Sequence, residues 1–189
     1  MNEAERVLGE EYGKHAGATL KPLLSEDKIE KRVRELGDQI TQEFKDSPKP
    51  PIVIGILNGS IIFMSDLIRE IDLDLEIDFM KIVSYGDSTE SSGTVRLDKD
   101  INADISGRNV IVVEDIVDTG LSMNFLKNRL SQSGTEILRF VSLLKKEEVE
   151  HEFEMDYVGF NIPDKYVVGY GLDLAQKLRN LKSIYYLEN

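Results

Sequence analysis

Val110-Ile111-Val112-Val113-Glu114-Asp115-Ile116-Val117-Asp118-Thr119-Gly120, continuing into Leu121-Ser122, is the stretch that decides the fold. Its first half is a continuous apolar run rich in β-branched residues, which reads as a strand buried on both faces. The glycine closes that strand, and residues 121–132 read as the helix that follows. The end of a buried strand therefore delivers two adjacent carboxylates, a third carboxylate, and a turn onto a helix start. Backbone N–H groups at such a turn form an anion cradle that the helix dipole reinforces. The Thr119 and Ser122 hydroxyls can add donors. Three acids beside a phosphate would repel it unless they bind hydroxyls, a proton or a metal. A sugar phosphate meets that condition, with ribose hydroxyls on the acids and the 5′-phosphate in the cradle. Any one acid alone reads as a helix cap or a solvated strand end; the string as a whole points to chemistry.

The same alternation continues outward. Ile52–Leu57 (IVIGIL) reads as another buried strand, Asn58-Gly59-Ser60 as a tight turn, and residues 61–71 as a helix. Leu73, Leu75, Ile77 and Phe79 alternate with Asp74, Glu76 and Asp78, which is strand period, and the apolar stretch runs on to Val83. Residues 84–93 (SYGDSTESSG) form a small polar loop expected to be mobile, 94–97 a short returning strand, and 98–109 a connection. Residues 135–144 read as a buried strand and 145–156 as a solvated loop or turn. Short strands follow at 157–160, 166–169 and 183–187. Upstream, Ser25 can cap a helix carrying Ile29, Val33, Leu36, Ile40 and Phe44 on one face, and DSPKPP at 46–51 ends it. Residues 1–24 show no clear period and read as an arm. Strand–helix–strand alternation with doubly buried strands implies an α/β fold, a mainly parallel sheet flanked by helices. Ligands bind such sheets beyond the carboxyl ends of the strands, where the chemistry-capable residues fall.

Composition narrows the function classes. The 189 residues are 41% hydrophobic and 31% charged, which supports a buried core and one domain. The 23 Lys and Arg against 35 Asp and Glu leave a net charge of −12, so a nucleic-acid partner is not expected. The absence of cysteine excludes disulfides, thiol nucleophiles and thiolate metal sites. No apolar run approaches the roughly 20 residues of a membrane helix, and the N-terminus lacks the pattern of a signal peptide. The expectation is a cytoplasmic protein without a membrane partner. His15 and His151 have no partner spacing and read as surface residues. GYGLDL at 169–174 lacks the third glycine of a dinucleotide-binding turn.

With these strings in place, the chain resembles the type I phosphoribosyltransferases, and most of all the hypoxanthine (hypoxanthine-guanine) phosphoribosyltransferases, from about Val33 to Tyr186. The resemblance implies a single domain over 1–189, with an N-terminal arm (1–24), a core of about 25–150 and a purine-binding hood of about 151–189. By resemblance, Glu114 and Asp115 hold the ribose hydroxyls, partly through Mg²⁺, and Asp118 faces purine N7 as general acid/base. Thr119, Gly120, Leu121 and Ser122 match the 5′-phosphate loop. Leu57-Asn58-Gly59-Ser60 matches the diphosphate loop, where a cis peptide is expected before the glycine; Asn58 stands where the family commonly has Lys or Arg. Ser84-Tyr85-Gly86 begins the counterpart of the catalytic loop that closes over the reacting centre and excludes water.

The base side of the resemblance comes from two segments. Lys146 matches the lysine that donates to the purine 6-oxo group, with Lys145 one residue away as the alternative register. Pro163-Asp164-Lys165-Tyr166-Val167-Val168-Gly169-Tyr170-Gly171-Leu172-Asp173 matches the C-terminal motif. In it Tyr166 stacks on the base, Val167 offers backbone groups to the purine edge, and Asp173 is a ligand of a second Mg²⁺. Arg179 matches a diphosphate-binding arginine. The implied reaction joins a 6-oxopurine to 5-phospho-α-D-ribose 1-diphosphate, in a homo-oligomer (dimer or tetramer). Two rivals share the site: a regulator that senses the sugar diphosphate and binds nucleic acid, and a transferase for xanthine or a pyrimidine. The Asp118, Ser84-Tyr85 and C-terminal motifs favour the purine enzyme.

Overall fold

The residues Val110–Val113 are fully buried, and their side chains alternate between two separate apolar layers. Ile111 and Val113 pack with Val53 and the helices on one face, whereas Val110 and Val112 pack with Ile52 and Ile54 and the helix on the other. A strand with apolar side chains on both faces can only be satisfied between two layers, and this one lies near the middle of its sheet. In a computed structural model of the protein, residues 5–85, 94–147 and 153–188 are described.

The elements in chain order are β1 (Arg6–Val7), a 3₁₀ turn (Glu10–His15), β2 (Thr19–Leu24), α1 (Glu26–Phe44), β3 (Ile52–Leu57), α2 (Ile61–Glu70), β4 (Glu76–Tyr85) and β5 (Thr94–Lys99). They continue with β6 (Asn109–Val117), α3 (Leu121–Ser131), β7 (Ile137–Lys146), β8 (Tyr157–Ile162), β9 (Val167–Val168) and β10 (Ile184–Glu188). The main sheet has the order β5-β4-β3-β6-β7-β8. Its strands are parallel except for the edge strand β5. Helices α1 and α2 cover one face and α3 the other. Parallel register brings Leu57, Val117 and Lys145-Lys146 to the same edge, so the loops that follow meet there.

A second sheet, β1-β2-β10-β9, is antiparallel and has its own small core of Leu8, Leu20, Val168, Leu174, Leu178 and Tyr185. It joins the N-terminal segment to the C-terminal one. The N-terminal strands escape periodicity because β1 is two residues long and Pro22 interrupts β2. The main sheet reaches past the boundary expected near residue 150, because the backbone of β8 pairs with β7.

Several local expectations change. Ser25 occupies the N-cap of α1, yet its side chain makes no cap bond. The Glu26 N–H donates instead to the Ser183 hydroxyl, brought in beside β10 (3.1 Å). The cis peptide is Leu57–Asn58, one bond earlier than expected. Strand β4 starts at Glu76, and Ser84 and Tyr85 end that strand, paired with Val95 and Thr94, in place of opening a loop. The backbone ladder to β5 extends the strand through them. The rest of the expected catalytic loop, 86–93, lies outside the described residues.

Asp78 departs most from the alternation, since it is buried while Ile77 is exposed. The connection after β5 covers this face, and the Asp78 carboxylate accepts N–H bonds from Phe79 (2.7 Å), Asn102 (2.6 Å) and Ala103 (2.9 Å), with the Lys99 ammonium at 3.4 Å. Burial alone would raise its pKa, but these donors outweigh it and hold the carboxyl below its ordinary value. Its stabilisation is therefore present above the unfolded value of about 3.9 and lost as pH falls through the lower folded value. Asp78→Asn should lose about 2 kcal/mol of stability in urea unfolding at neutral pH. That gap should close in strongly acidic buffer, and a pH-independent gap would contradict the charge argument.

Candidate active site

The carboxyl ends of β3 and β6 open onto a cavity of about 310 Å³, lined by Asn58, Gly59, Glu114, Asp115, Asp118, Thr119, Gly120, Leu121, Ser122, Asp173 and Arg179. A second cavity of about 340 Å³ is lined by Lys146, Lys165, Tyr166 and Val167. The two share Asp115, Ile116, Asp118 and Asp173, so they are halves of one cleft with Asp118 at the junction. Every expected site residue lies on this cleft except Ser84 and Tyr85; their side chains are outside the described residues. The sequence reading did not single out Ile116, which lines both halves, or Lys165, which follows from the Pro163–Tyr166 turn.

The phosphate half is built from the turn after β6. Gly120 adopts left-handed geometry (φ 86°) and begins α3, which a residue with a side chain would resist. The first turn of the helix presents N–H groups that have no acceptor inside it. The Leu121 N–H lies 3.5 Å from Thr119 Oγ1, at the limit of a hydrogen bond. On the facing wall, a Cβ at Gly59 would overlap the Asp115 carboxylate, and one at Gly171 would overlap the Gly59 carbonyl. The diphosphate-type loop is thus wedged between the acids and the C-terminal segment.

That segment is tied down by its own polar contacts. The Arg179 guanidinium donates to the Gly171 carbonyl (2.7 Å) and pairs with Asp173 (2.6 Å). Asp173 also accepts from the Gln176 N–H (2.8 Å), and the Tyr166 hydroxyl donates to the Asp173 carbonyl (3.0 Å). The Tyr166 ring stays half-exposed (53%), with His15 stacked at 6.2 Å between centroids. His15 is therefore a half-buried neighbour of the cleft and not a plain surface residue. His151 lies outside the described residues.

The base half is electrostatically defined by Lys146. Its ammonium lies 2.7 Å from Asp164 and 3.4 Å from Asp118, and Lys145 does not line the cavity. Burial pulls the Lys146 pKa down, but the pairs with Asp164 and Asp118 outweigh it, so the ammonium is held above its ordinary value.

Glu114 is in the opposite situation. Its Oε2 is buried with no hydrogen-bond partner among the described residues. Burial, and then the adjacent Asp115 carboxylate, push its carboxyl well above the usual range. An orphaned hard oxygen beside a second carboxylate suits a divalent cation. No cluster of three or more metal-ligating side chains occurs among the described residues, and Asp173 stands apart on the facing wall, paired with Arg179. The set therefore fits Mg²⁺, which keeps waters and takes one or two carboxylates plus substrate phosphates, better than a metal needing an all-protein cage. A raised carboxyl costs stability as pH climbs above its unfolded value of about 4.3 and costs nothing below it. Glu114→Gln should therefore raise the melting temperature of the unliganded protein at neutral pH, with the gain vanishing in acid. Thermal scans at several pH values check this, and an equal gain in acid would show that charge is not the cause.

The chain matches the phosphoribosyl transferase domain family over residues 20–175. It is 44% identical over 165 residues to the hypoxanthine-guanine phosphoribosyltransferase of Bacillus subtilis, covering 87% of this chain and 91% of that one. It is equally similar to the bifunctional protein TilS/HprT of Listeria monocytogenes, but spans 25% of that protein's length. A crystal structure of a hypoxanthine phosphoribosyltransferase from Staphylococcus aureus superposes with a TM-score of 0.83 at 41% identity, covering 89% of this chain and 91% of that one. With a family match across most of its length and a strand-end cleft of the geometry described, the chain belongs to the phosphoribosyl transferase family.

Proposed function

We propose that the protein is a purine salvage enzyme, a hypoxanthine (and guanine) phosphoribosyltransferase. It transfers the 5-phosphoribosyl group of 5-phospho-α-D-ribose 1-diphosphate to the base, giving IMP or GMP and diphosphate. The observation that supports this best is the shared wall of the two half-cavities. Asp118 stands where a loop of helix-start N–H groups meets a pocket lined by two lysines, Lys146 and Lys165, and one exposed aromatic ring. A 5′-phosphate in the first and a purine in the second bring C1′ and the base nitrogen together beside Asp118.

In this reading, Thr119–Ser122 bind the 5′-phosphate through backbone N–H groups and hydroxyls. Glu114 and Asp115 hold the ribose hydroxyls, and Asn58-Gly59 and Arg179 face the diphosphate. Glu114 and Asp115 would hold one Mg²⁺ and Asp173, on the facing wall, a second, and these would supply positive charge against the ribose oxygens and the diphosphate. The bond from C1′ to the diphosphate oxygen breaks, and the leaving group takes the electron pair. The C1′–N9 bond forms from the base. Positive charge grows on the ribose ring in between, and the nearby carboxylates favour it. Asp118 manages the purine N7 proton. Tyr166 stacks on the base, Val167 offers backbone groups to its edge, and Lys146 donates to the 6-oxo group. Ser84 and Tyr85 belong to the loop that excludes water. The family resemblance extends the proposal to a homo-oligomer working in the cytoplasm. Among the described residues no helix is long and apolar enough to cross a membrane.

The deciding experiment incubates the protein with Mg²⁺, the sugar diphosphate and each nucleobase, following nucleotide formation. Hypoxanthine and guanine should be used. Adenine presents a donor to the donor-only ammonium of Lys146 and should be disfavoured by roughly 10⁴-fold. Efficient adenine turnover, or full turnover with chelator, would refute the assignment. Asp118→Asn should lower kcat by about 10²-fold with little change in sugar-diphosphate binding. A kcat within a factor of about two of the natural protein would reduce Asp118 to a structural residue.

A further inference from the structure

Strand β7 ends at Lys146, which pairs in parallel register with Ile162, the last residue of β8. The Glu147 N–H donates to the Ile162 carbonyl (2.9 Å), and the chain then turns at once through Pro163-Asp164-Lys165, closed by the Lys165 N–H on the Pro163 carbonyl (2.8 Å). Register and turn together set Asp164 beside the Lys146 ammonium. Among the described residues, two carboxylates thus compete for one largely buried ammonium, Asp164 at 2.7 Å and Asp118 at 3.4 Å. Asp164 is not on the wall where the sugar would bind, whereas Asp118 is. Tightening the 3.4 Å pair between Lys146 and Asp118 into close contact would do two harmful things. It would withdraw the ammonium from the base edge, and it would cover the carboxylate oxygen that must meet the base proton.

We infer that Asp164 is a positioning residue that holds the Lys146 ammonium at the base pocket and keeps its pairing with Asp118 to the longer, weaker contact of 3.4 Å. The inference rests on the base-side reading proposed above and extends it to a residue that touches neither the sugar nor the diphosphate. Neutralising Asp164 leaves Asp118 as the stronger anion near Lys146 among the described residues, and the ammonium moves toward it. Base recognition then weakens, while the 5′-phosphate loop and Arg179 are untouched.

Initial rates at varied hypoxanthine and varied sugar diphosphate, with Mg²⁺, test this in Asp164→Asn, Asp164→Glu, Lys146→Ala and the Asp164→Asn/Lys146→Ala pair. Asp164→Asn should raise the hypoxanthine KM about tenfold or more, the scale of one hydrogen bond to a charged group. The sugar-diphosphate KM should stay within about a factor of two, and Asp164→Glu should recover most of the loss. In the Lys146→Ala background, Asp164→Asn should add nothing, because its effect passes through the ammonium. The inference is overturned if the hypoxanthine KM is unchanged, if both KM values rise together, or if the loss persists without Lys146. A natural protein that turns over no 6-oxopurine removes the base-side reading and this inference with it. An active natural protein with a neutral Asp164→Asn removes only the inference.

Discussion

A side chain at position 59 would have to share space with the Asp115 carboxylate. The arrangement of the cleft depends on that contact. Asp115 leaves a strand buried on both faces and cannot retreat into an apolar layer; Gly59 follows the neighbouring parallel strand and cannot move outward, because Gly171 of the C-terminal segment presses on its carbonyl. Acid, loop and hood therefore stack in direct contact across three parts of the chain. The parallel register of β3 and β6 creates the meeting point, and the antiparallel sheet formed by both chain ends delivers the third layer.

The parts of this assembly that were legible in the sequence are those governed by burial on two faces. β3 and the first half of β6 are continuous apolar runs rich in β-branched residues, β7 is buried over its middle from Phe140 to Leu144, and such stretches have few other solutions. The cradle after β6 was legible because a glycine between a strand and a helix has a local geometric meaning. What escaped reading depends on partners distant in the chain. Asp78 looked like the polar face of an alternating strand, but the connection after β5 folds over that face and satisfies it with N–H groups. The cap of α1 comes from Ser183, 157 residues away. The pairing of Lys146 with Asp164 follows from the register of β7 against β8. Periodicity within a segment fixes which residues share a face, but it does not say which distant segment pairs with it.

The electrostatics of the cleft show a further dependence. The protein carries a net charge of −12, yet its proposed substrate is a polyanion. The cations lining the cleft among the described residues are each already engaged. Lys146 pairs with Asp118 and Asp164, Arg179 pairs with Asp173, and Lys165 lies over the Tyr186 ring. Asn58, at the head of the diphosphate-type loop, contributes no charge where the family commonly has a basic residue. An arriving phosphate must therefore exchange partners with carboxylates or draw on groups that are not side-chain cations.

In the proposed function, backbone N–H groups and a divalent ion are the two sources that remain. The turn at 119–122 presents N–H groups without spending a lysine. The buried oxygen of Glu114 beside Asp115, without a hydrogen-bond partner among the described residues, is costly, and in the proposed reading a cation would relieve it. A site preloaded with unpaired lysines would bind any phosphate. One whose cations are held by carboxylates favours a ligand that brings both a phosphate for the N–H cradle and a metal-chelated diphosphate for the acids. In the proposed function, selectivity would arise from internal competition, in which the carboxylates that neutralise Lys146 and Arg179 must be outmatched at several points at once.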